Sequence, residues 1–238
     1  MNYAVIFAGG TGQRMNTKNK PKQFLELNNK PIIIHTIEYF DEHPEIDGIV
    51  VVCLEEWIPY MEKLLQKFCI NKVLKVVKGG DTGQHSIRNG LFALYENENV
   101  PKDSIVLIHD GVRPLITPEI ITDCIECAKK NGNSVTVTPA TETIISVNEN
   151  DEIKEVMDRS ICRMARAPQC FVLEEIVEAH HKADAEDFSA IDSAMLMSHY
   201  GATLHVVQGP PENIKITTPS DFYIFRAITE SRENAQIL

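Results

Sequence analysis

Two apolar runs, Ile49-Val-Val-Val-Cys53 and Ile105-Val-Leu-Ile108, contain no polar residue at all. A strand with one face in water alternates apolar and polar side chains. An unbroken Val/Ile run of this length belongs to a strand covered on both faces. Cover on both faces requires helices above and below the sheet, and neighbouring parallel strands need crossover connections to supply them. The rest of the chain has that rhythm. Strands are predicted over 3–8, 48–54, 72–78, 104–109, 134–140 and 203–208, and helices over 31–41, 57–69, 84–95, 118–130, 173–182, 190–199 and 219–231. The pattern predicts an α/β fold, a three-layer sandwich around a mostly parallel sheet.

Sheets of this kind bind ligands beyond the carboxyl ends of their strands. Three unusual segments fall there: Gly9-Gly10-Thr11-Gly12 after the first strand, Gly79-Gly80-Asp81, and His109-Asp110. They should converge on one edge. Glycines let the backbone approach a phosphate and turn its N–H groups toward it. Arg14 and Lys22 follow the first loop closely, and such cations stabilise the negative charge that builds up in phosphoryl transfer. A phosphate loop of the NTPase kind would continue Gly-Lys-Ser/Thr, whereas Gly12 is followed by Gln13-Arg14. A dinucleotide fingerprint would place a third glycine where Met15 stands. The plain alternative is a strand-to-loop turn with incidental glycines and a surface Arg14.

The 238 residues suffice for a sizeable core and favour one domain spanning 1–238. A net charge of −11 argues against nucleic acid as a partner. No run reaches transmembrane length, and the opening reads into a strand rather than a signal peptide, so a cytoplasmic location is expected with no membrane contact. Of six cysteines only Cys124 and Cys127 form a C-x-x-C. They sit inside the predicted helix that begins near Thr117-Pro118-Glu119, away from the N-terminus that lowers the pKa of redox pairs, so they read as core. His180 and His181, about 100° apart on a helix, make a poor metal pair and read as surface.

Residues 141–158 break the rhythm. Thr-Glu-Thr-Ile-Ile-Ser-Val and Glu-Ile-Lys-Glu-Val-Met flank the polar turn Asn148-Glu-Asn-Asp151, which is a hairpin by sequence. A hairpin outside the main sheet needs something to pack on, either its own domain or a neighbour.

Taken together, Ala8-Gly-Gly-Thr-Gly-Gln-Arg-Met15 with Pro21-Lys-Gln-Phe24, Gly79-Gly80-Asp81…Ser86, His109-Asp-Gly-Val-Arg-Pro114, Asp158-Arg159…Pro168-Gln169 and Asn213-Ile-Lys-Ile-Thr217 resemble, in order, the signature of the polyol-phosphate cytidylyltransferases. Close relatives within that group act on methylerythritol 4-phosphate or on ribitol 5-phosphate. The resemblance implies a Rossmann-like nucleotidyltransferase sheet, a projecting hairpin arm at 141–158 that embraces the second subunit of a homodimer, and Mg2+ as cofactor. It implies that CTP is bound by Ala8, Gly9, Gly10, Thr11, Gly12, Gly80, Asp81 and Ser86, and that Arg14, Lys22 and Lys215 are catalytic. It further implies that Asp110, Arg113 and Arg159 take the acceptor, with Asp110 also at the metal and Arg159 reaching the neighbouring subunit's acceptor phosphate.

Simpler roles remain open for several of these: Asp110 capping a turn and paired with Arg113, Asp81 as a helix N-cap with Ser86 an ordinary helix residue, Arg159 and Lys215 in surface ion pairs. Two departures bear on the acceptor. Ala167 replaces the threonine of Thr-Pro-Gln, and Ile191 replaces a threonine before Asp192, so two hydroxyl contacts of the methylerythritol enzymes are missing. Such losses suggest a different polyol phosphate. Ala167 is unusual for both kinds of relative, and Gly9-Gly10 in place of Ala-Gly leans to ribitol 5-phosphate, which is the expected acceptor, with methylerythritol 4-phosphate the alternative. Arg163 and Arg166 are extra cations near this pocket. A nucleotidyltransferase for sugar 1-phosphates and a catalytically silent nucleotide-binding protein are rival readings.

Overall fold

The computed structural model of the protein describes residues 1–9 and 20–235. In chain order it runs β1 (Asn2–Ala8), β2 (Glu26–Leu27), β3 (Lys30–Pro31), α1 (Ile32–Asp41), β4 (Gly48–Cys53), α2 (Ile58–Lys67), β5 (Val73–Lys78), α3 (Gly83–Tyr95), β6 (Ile105–Asp110) and α4 (Pro118–Asn131). It continues β7 (Asn133–Pro139), β8 (Ile145–Val147), β9 (Ile153–Val156), β10 (Arg163–Val172), α5 (Leu173–Glu186), α6 (Ser193–His199), β11 (Val206–Gln208) and α7 (Pro219–Ala235). Seven strands form the main sheet in the order β11-β7-β10-β6-β1-β4-β5. The run from β6 to β5 is parallel, β11 is parallel to β7, and β10 is antiparallel to both of its neighbours.

The apolar runs are covered on both faces, as their sequence requires. Ile49, Val51 and Cys53 of β4 join α1, α2 and α4 in one core, while Val50 and Val52 of the same strand join α3 and α5 in another. These two cores make the three layers. A Cβ at Gly90 would lie 2.5 Å from Val5 Cγ1 and 2.8 Å from Val52 Cγ2, so this glycine sets how closely α3 lies on the sheet.

Three expectations meet the structure here, and one strand is new. The C-x-x-C lies mid-helix in α4, with Cys124 buried against Thr136 (3.3 Å) and Cys127 facing the Asn133 carbonyl (3.7 Å), which is core packing. Thr117 holds the N-cap position without a side-chain capping bond. His180 is buried rather than on the surface: α5 turns it into the sheet-facing layer with both ring nitrogens unpartnered, and only His181 is exposed. Strand β10 was not expected. Its Arg163-Met-Ala-Arg-Ala-Pro168 opening lacks the strand pattern, and a register shift between Ala165 and Gln169 lets Pro168 sit at a bulge inside the sheet.

The hairpin forms as β8 and β9, which pair with each other and with no strand of the main sheet. Ile145, Val147, Ile153, Val156 and Met157 are all exposed on it, so it does not lie on its own domain. Among the described residues no helix is long and apolar enough to cross a membrane.

Candidate active site

The three segments expected at one edge meet there. β1 ends at Ala8, β5 at Lys78 and β6 at Asp110. A Cβ at Gly9 would stand 2.6 Å from Ser86 Oγ and 3.6 Å from Gly79 Cα, so the Gly9 and Gly79 segments touch through backbone that only glycine allows. The Ser86 hydroxyl accepts from the Gly80 N–H at 3.1 Å and faces the Gly80 carbonyl at 3.4 Å. Ser86 is thus a buried helix residue whose side chain shapes the Gly80 turn. Thr82, not Asp81, caps α3, accepting from His85 N–H at 3.1 Å; Asp81 is exposed beside it. Gly10, Thr11, Gly12 and Arg14 lie outside the described residues.

The Pro-Lys-Gln segment is tied to the same edge. Gln23, 1% exposed, donates to the Ala8 carbonyl at 2.7 Å. Lys22 is buried and its Nζ donates to the Ile216 carbonyl at 2.9 Å, next to Lys215.

Asp110 sits at the centre. Its Oδ2 accepts from Arg113 Nε at 2.8 Å and its Oδ1 faces Lys215 Nζ at 2.5 Å. Burial pushes this carboxyl up, but Lys215 and then Arg113 pull it further down, to about 2, so it is ionised throughout the neutral range. Arg113 spends Nη1 on the Asn213 carbonyl at 3.0 Å, and Asn213 in turn donates to the Ala167 carbonyl at 2.8 Å. Three chain segments are thereby locked together around one carboxylate. His109, fully buried, is pushed down to about 4 by burial and is neutral, its Nε2 facing the Arg113 carbonyl at 3.2 Å.

Beside this cluster opens a cavity of about 190 Å3, whose polar lining is Asp110, Arg113, Lys215, Arg166, Gln169, Asp192 and Ser193. Gln169 spans its wall, donating to Asp192 Oδ2 at 3.0 Å and accepting from Ala194 N–H at 2.8 Å. Asp192 also caps α6 through Met195 N–H at 2.8 Å. Ala167 is buried in the wall and Ile191 is 94% exposed at the mouth, so neither offers a hydroxyl. Arg159 does not line the cavity of its own chain; it stands exposed at the foot of the hairpin, donating to the Thr141 carbonyl at 2.8 Å.

Of the expected residues, the structure brings together Ala8, Gly9, Gly80, Ser86, Lys22, Asp110, Arg113 and Lys215. Gln23, Asn213, Gln169 and Arg166 were not named as site residues. The first three sit inside the recognised motifs, and their amides do the fastening; Arg166 was visible only as a nearby cation. Among the described residues no three His, Cys, Asp or Glu side chains gather as a metal cage. A site rich in cations and backbone N–H groups, with one ionised carboxylate, is suited to holding and neutralising phosphates rather than to nucleophilic catalysis by a side chain.

Comparisons with known proteins agree with this chemistry. The family model described as 2-C-methyl-D-erythritol 4-phosphate cytidylyltransferase matches residues 2–231. A ribitol-5-phosphate cytidylyltransferase of Vibrio parahaemolyticus is 52% identical over 100% of this chain and 99% of its own length. One from Streptococcus agalactiae serotype V is 50% identical over 100% of this chain and 98% of its own. Among solved structures, the 4-diphosphocytidyl-2C-methyl-D-erythritol synthase of Anaerococcus prevotii superposes with a TM-score of 0.82 at 24% identity, covering 96% of this chain and 98% of that one, a likeness of fold.

Proposed function

We propose that this chain, which belongs to the 2-C-methyl-D-erythritol 4-phosphate cytidylyltransferase family, transfers the cytidylyl group of CTP to ribitol 5-phosphate, releasing pyrophosphate. That it is a cytidylyltransferase follows from the family; the acceptor and the residue roles are our reading. The observation that carries it is the Asp110–Arg113–Lys215 cluster standing beside a small cavity at the sheet edge where the glycine segments meet.

In this reading a phosphate oxygen of the acceptor attacks the α-phosphorus of CTP. A P–O bond forms, the bond to the β-phosphate oxygen breaks, and pyrophosphate leaves with the electron pair. The acceptor phosphate is already ionised, so no general base is required. The backbone about Gly9 and Gly80, with Ser86, holds the nucleotide. Lys22 and Lys215, with Arg14, neutralise the charge that grows on the transferring and leaving phosphates. Arg113 and Asp110 face the acceptor. Mg2+ is compatible with this donor set: among the described residues each Asp110 oxygen has one partner and a further lone pair, and magnesium accepts one carboxylate when phosphates and water complete its shell. The ion would supply neutralisation of the triphosphate.

Ribitol 5-phosphate is favoured by relatives at 50% identity or more that carry that name. The missing hydroxyl at Ile191 argues against methylerythritol 4-phosphate. Methylerythritol 4-phosphate is the second reading, because the family model bears its name. We place the enzyme in the cytoplasm as a homodimer, its exposed apolar hairpin reaching the second subunit and carrying Arg159 toward that subunit's acceptor. The test is pyrophosphate release from CTP and Mg2+ with either polyol phosphate. Higher kcat/KM with ribitol 5-phosphate is expected; preference for methylerythritol 4-phosphate would overturn the acceptor assignment, and inertness with both while sugar 1-phosphates react would overturn the reading.

A further inference from the structure

Arg166 lies in the cavity wall between Ala165 and the buried Ala167, where the bulge of β10 turns it toward the space that Arg113 and Lys215 also line. Its position is electrostatically unusual. Arg113 and Lys215 share the Asp110 carboxylate, whereas Arg166 has no ion-pair partner among the described residues. Its one side-chain hydrogen bond among the described residues is a long one, Nε to Thr138 Oγ1 at 3.4 Å. It is half-buried, and burial together with the Arg113 charge lowers its pKa. The other carboxylate of the cavity, Asp192, is occupied by the Gln169 amide and the Met195 N–H. Counting side chains, the lining holds three cations against two carboxylates. A guanidinium donates only, in a planar fork that fits two oxygens of a phosphate. Two neighbouring guanidiniums, one of them unneutralised, form a seat whose like-charge repulsion is relieved by a dianion.

We propose that Arg166 is an acceptor-specificity residue: with Arg113 it seats the phosphomonoester group of the acceptor, and it does not contact CTP. The inference rests on the reading of the chain as a cytidylyltransferase for a polyol phosphate, and it adds to that reading a residue supplied by the same chain as the cavity.

The experiment compares wild type with Arg166→Lys and Arg166→Gln, using steady-state pyrophosphate release and, separately, protection of each protein against thermal unfolding by inorganic phosphate without nucleotide. Loss of a charge-assisted pair corresponds to roughly 10- to 150-fold in affinity. Arg166→Gln should raise the acceptor KM by that order while leaving the CTP KM within about twofold, and it should abolish protection by phosphate. Arg166→Lys, which keeps the charge but loses the fork, should fall between. Arg166→Gln with an unchanged acceptor KM would overturn the inference, since the amide can still serve hydroxyls but not a dianion. An equal rise in both KM values would overturn it too, placing Arg166 on the nucleotide. If wild type turns over no polyol phosphate, the functional reading fails; phosphate protection that depends on Arg166 would still support the anion seat, and its absence would sink both.

Discussion

Lys215 Nζ stands 2.5 Å from Asp110 Oδ1, bringing a cation from the loop before α7 onto the carboxylate that ends β6. Arg113 holds the other oxygen. The pair is the meeting point of two sequence segments 105 residues apart, and it makes the carboxylate an organiser of cations rather than a base. A carboxyl near 2 cannot accept a proton at neutral pH.

Asp110→Asn keeps the shape and removes the charge. Arg113 and Lys215 are then left facing each other, and kcat/KM should fall by about 10²-fold or more. Stability should fall by about 2 kcal/mol at neutral pH, the order set by a carboxyl displaced from 3.8 to about 2. Because the folded-state value is depressed, that contribution is present above pH 3.8 and is lost as pH falls through 2. Urea melts at pH 7 and steady-state kinetics check both; unchanged kinetics would remove Asp110 from the mechanism.

Gly9→Ala would put a methyl 2.6 Å from Ser86 Oγ. The substitution should raise the CTP KM at least about tenfold by displacing either the loop or the serine. Ser86→Ala removes the obstructing oxygen while depriving the Gly80 N–H of its acceptor. The double variant should therefore bind CTP better than additivity of the single effects predicts, by about 1 kcal/mol. Strict additivity in a calorimetric cycle would mean that the two loops do not meet as described.

Gln84, in the first turn of α3, ties that helix to a distant loop. Its side chain donates to the Phe188 carbonyl at 3.0 Å and accepts from the Ala190 N–H at 2.7 Å. It clamps α3 to the loop that carries Ile191 and Asp192 into the cavity wall. Gln84→Ala should speed amide hydrogen exchange over 188–193 by roughly tenfold or more, equivalent to one or two hydrogen bonds, and should raise the acceptor KM. Unaltered exchange in that loop would contradict the clamp.

What the sequence disclosed follows from how local each signal is. The central strands β1, β4 and β6 were legible because burial on both faces writes itself as an apolar run, as at Ile49–Cys53. The site's edge was legible because glycine segments and Asp110 end those strands. Strand β10 was not, since its pairing compensates for a proline and two arginines that no local pattern would place in a sheet. His180 was misread for the same reason. Adjacent helical histidines look solvated, and only the packing of α5 against α3 and α6 shows which one turns inward. The fastening amides of Gln23, Gln169 and Asn213 act across 15 to 46 residues and have no local signature.

His180 gives the fold an acid sensitivity. Burial pushes it down to about 4; Asp184 opposes this, while Arg88, His181 and His85 add to it. The unfolded chain thus binds more protons between about pH 6.5 and 4, and stability falls as pH drops through that window. The contribution between pH 7.5 and 5 is about 2 kcal/mol. His180→Leu should flatten the pH dependence of the urea midpoint by that amount. An equally steep dependence in the variant would show that the ring is not buried neutral.

The exposed apolar residues of the hairpin lead to a prediction about which subunit supplies Arg159. Ile153 and Val156 are each more than 60% exposed on a two-stranded ribbon that pairs with no other strand among the described residues, an arrangement that lacks stability of its own. If the arm crosses to a second copy, Ile153→Glu with Val156→Lys should turn a dimer into a monomer by light scattering and should abolish transfer. Arg159→Ala and Lys215→Ala should each be inactive alone. Dissociated and reassociated together, they should recover about a quarter of wild-type turnover, because half of randomly paired dimers are mixed and each of those holds one intact site. Recovery requires that Arg159 act on its partner's site and Lys215 on its own. A dimer that shows no recovery would place Arg159 in its own chain's site, and a wild-type monomer would remove the arm's partner altogether.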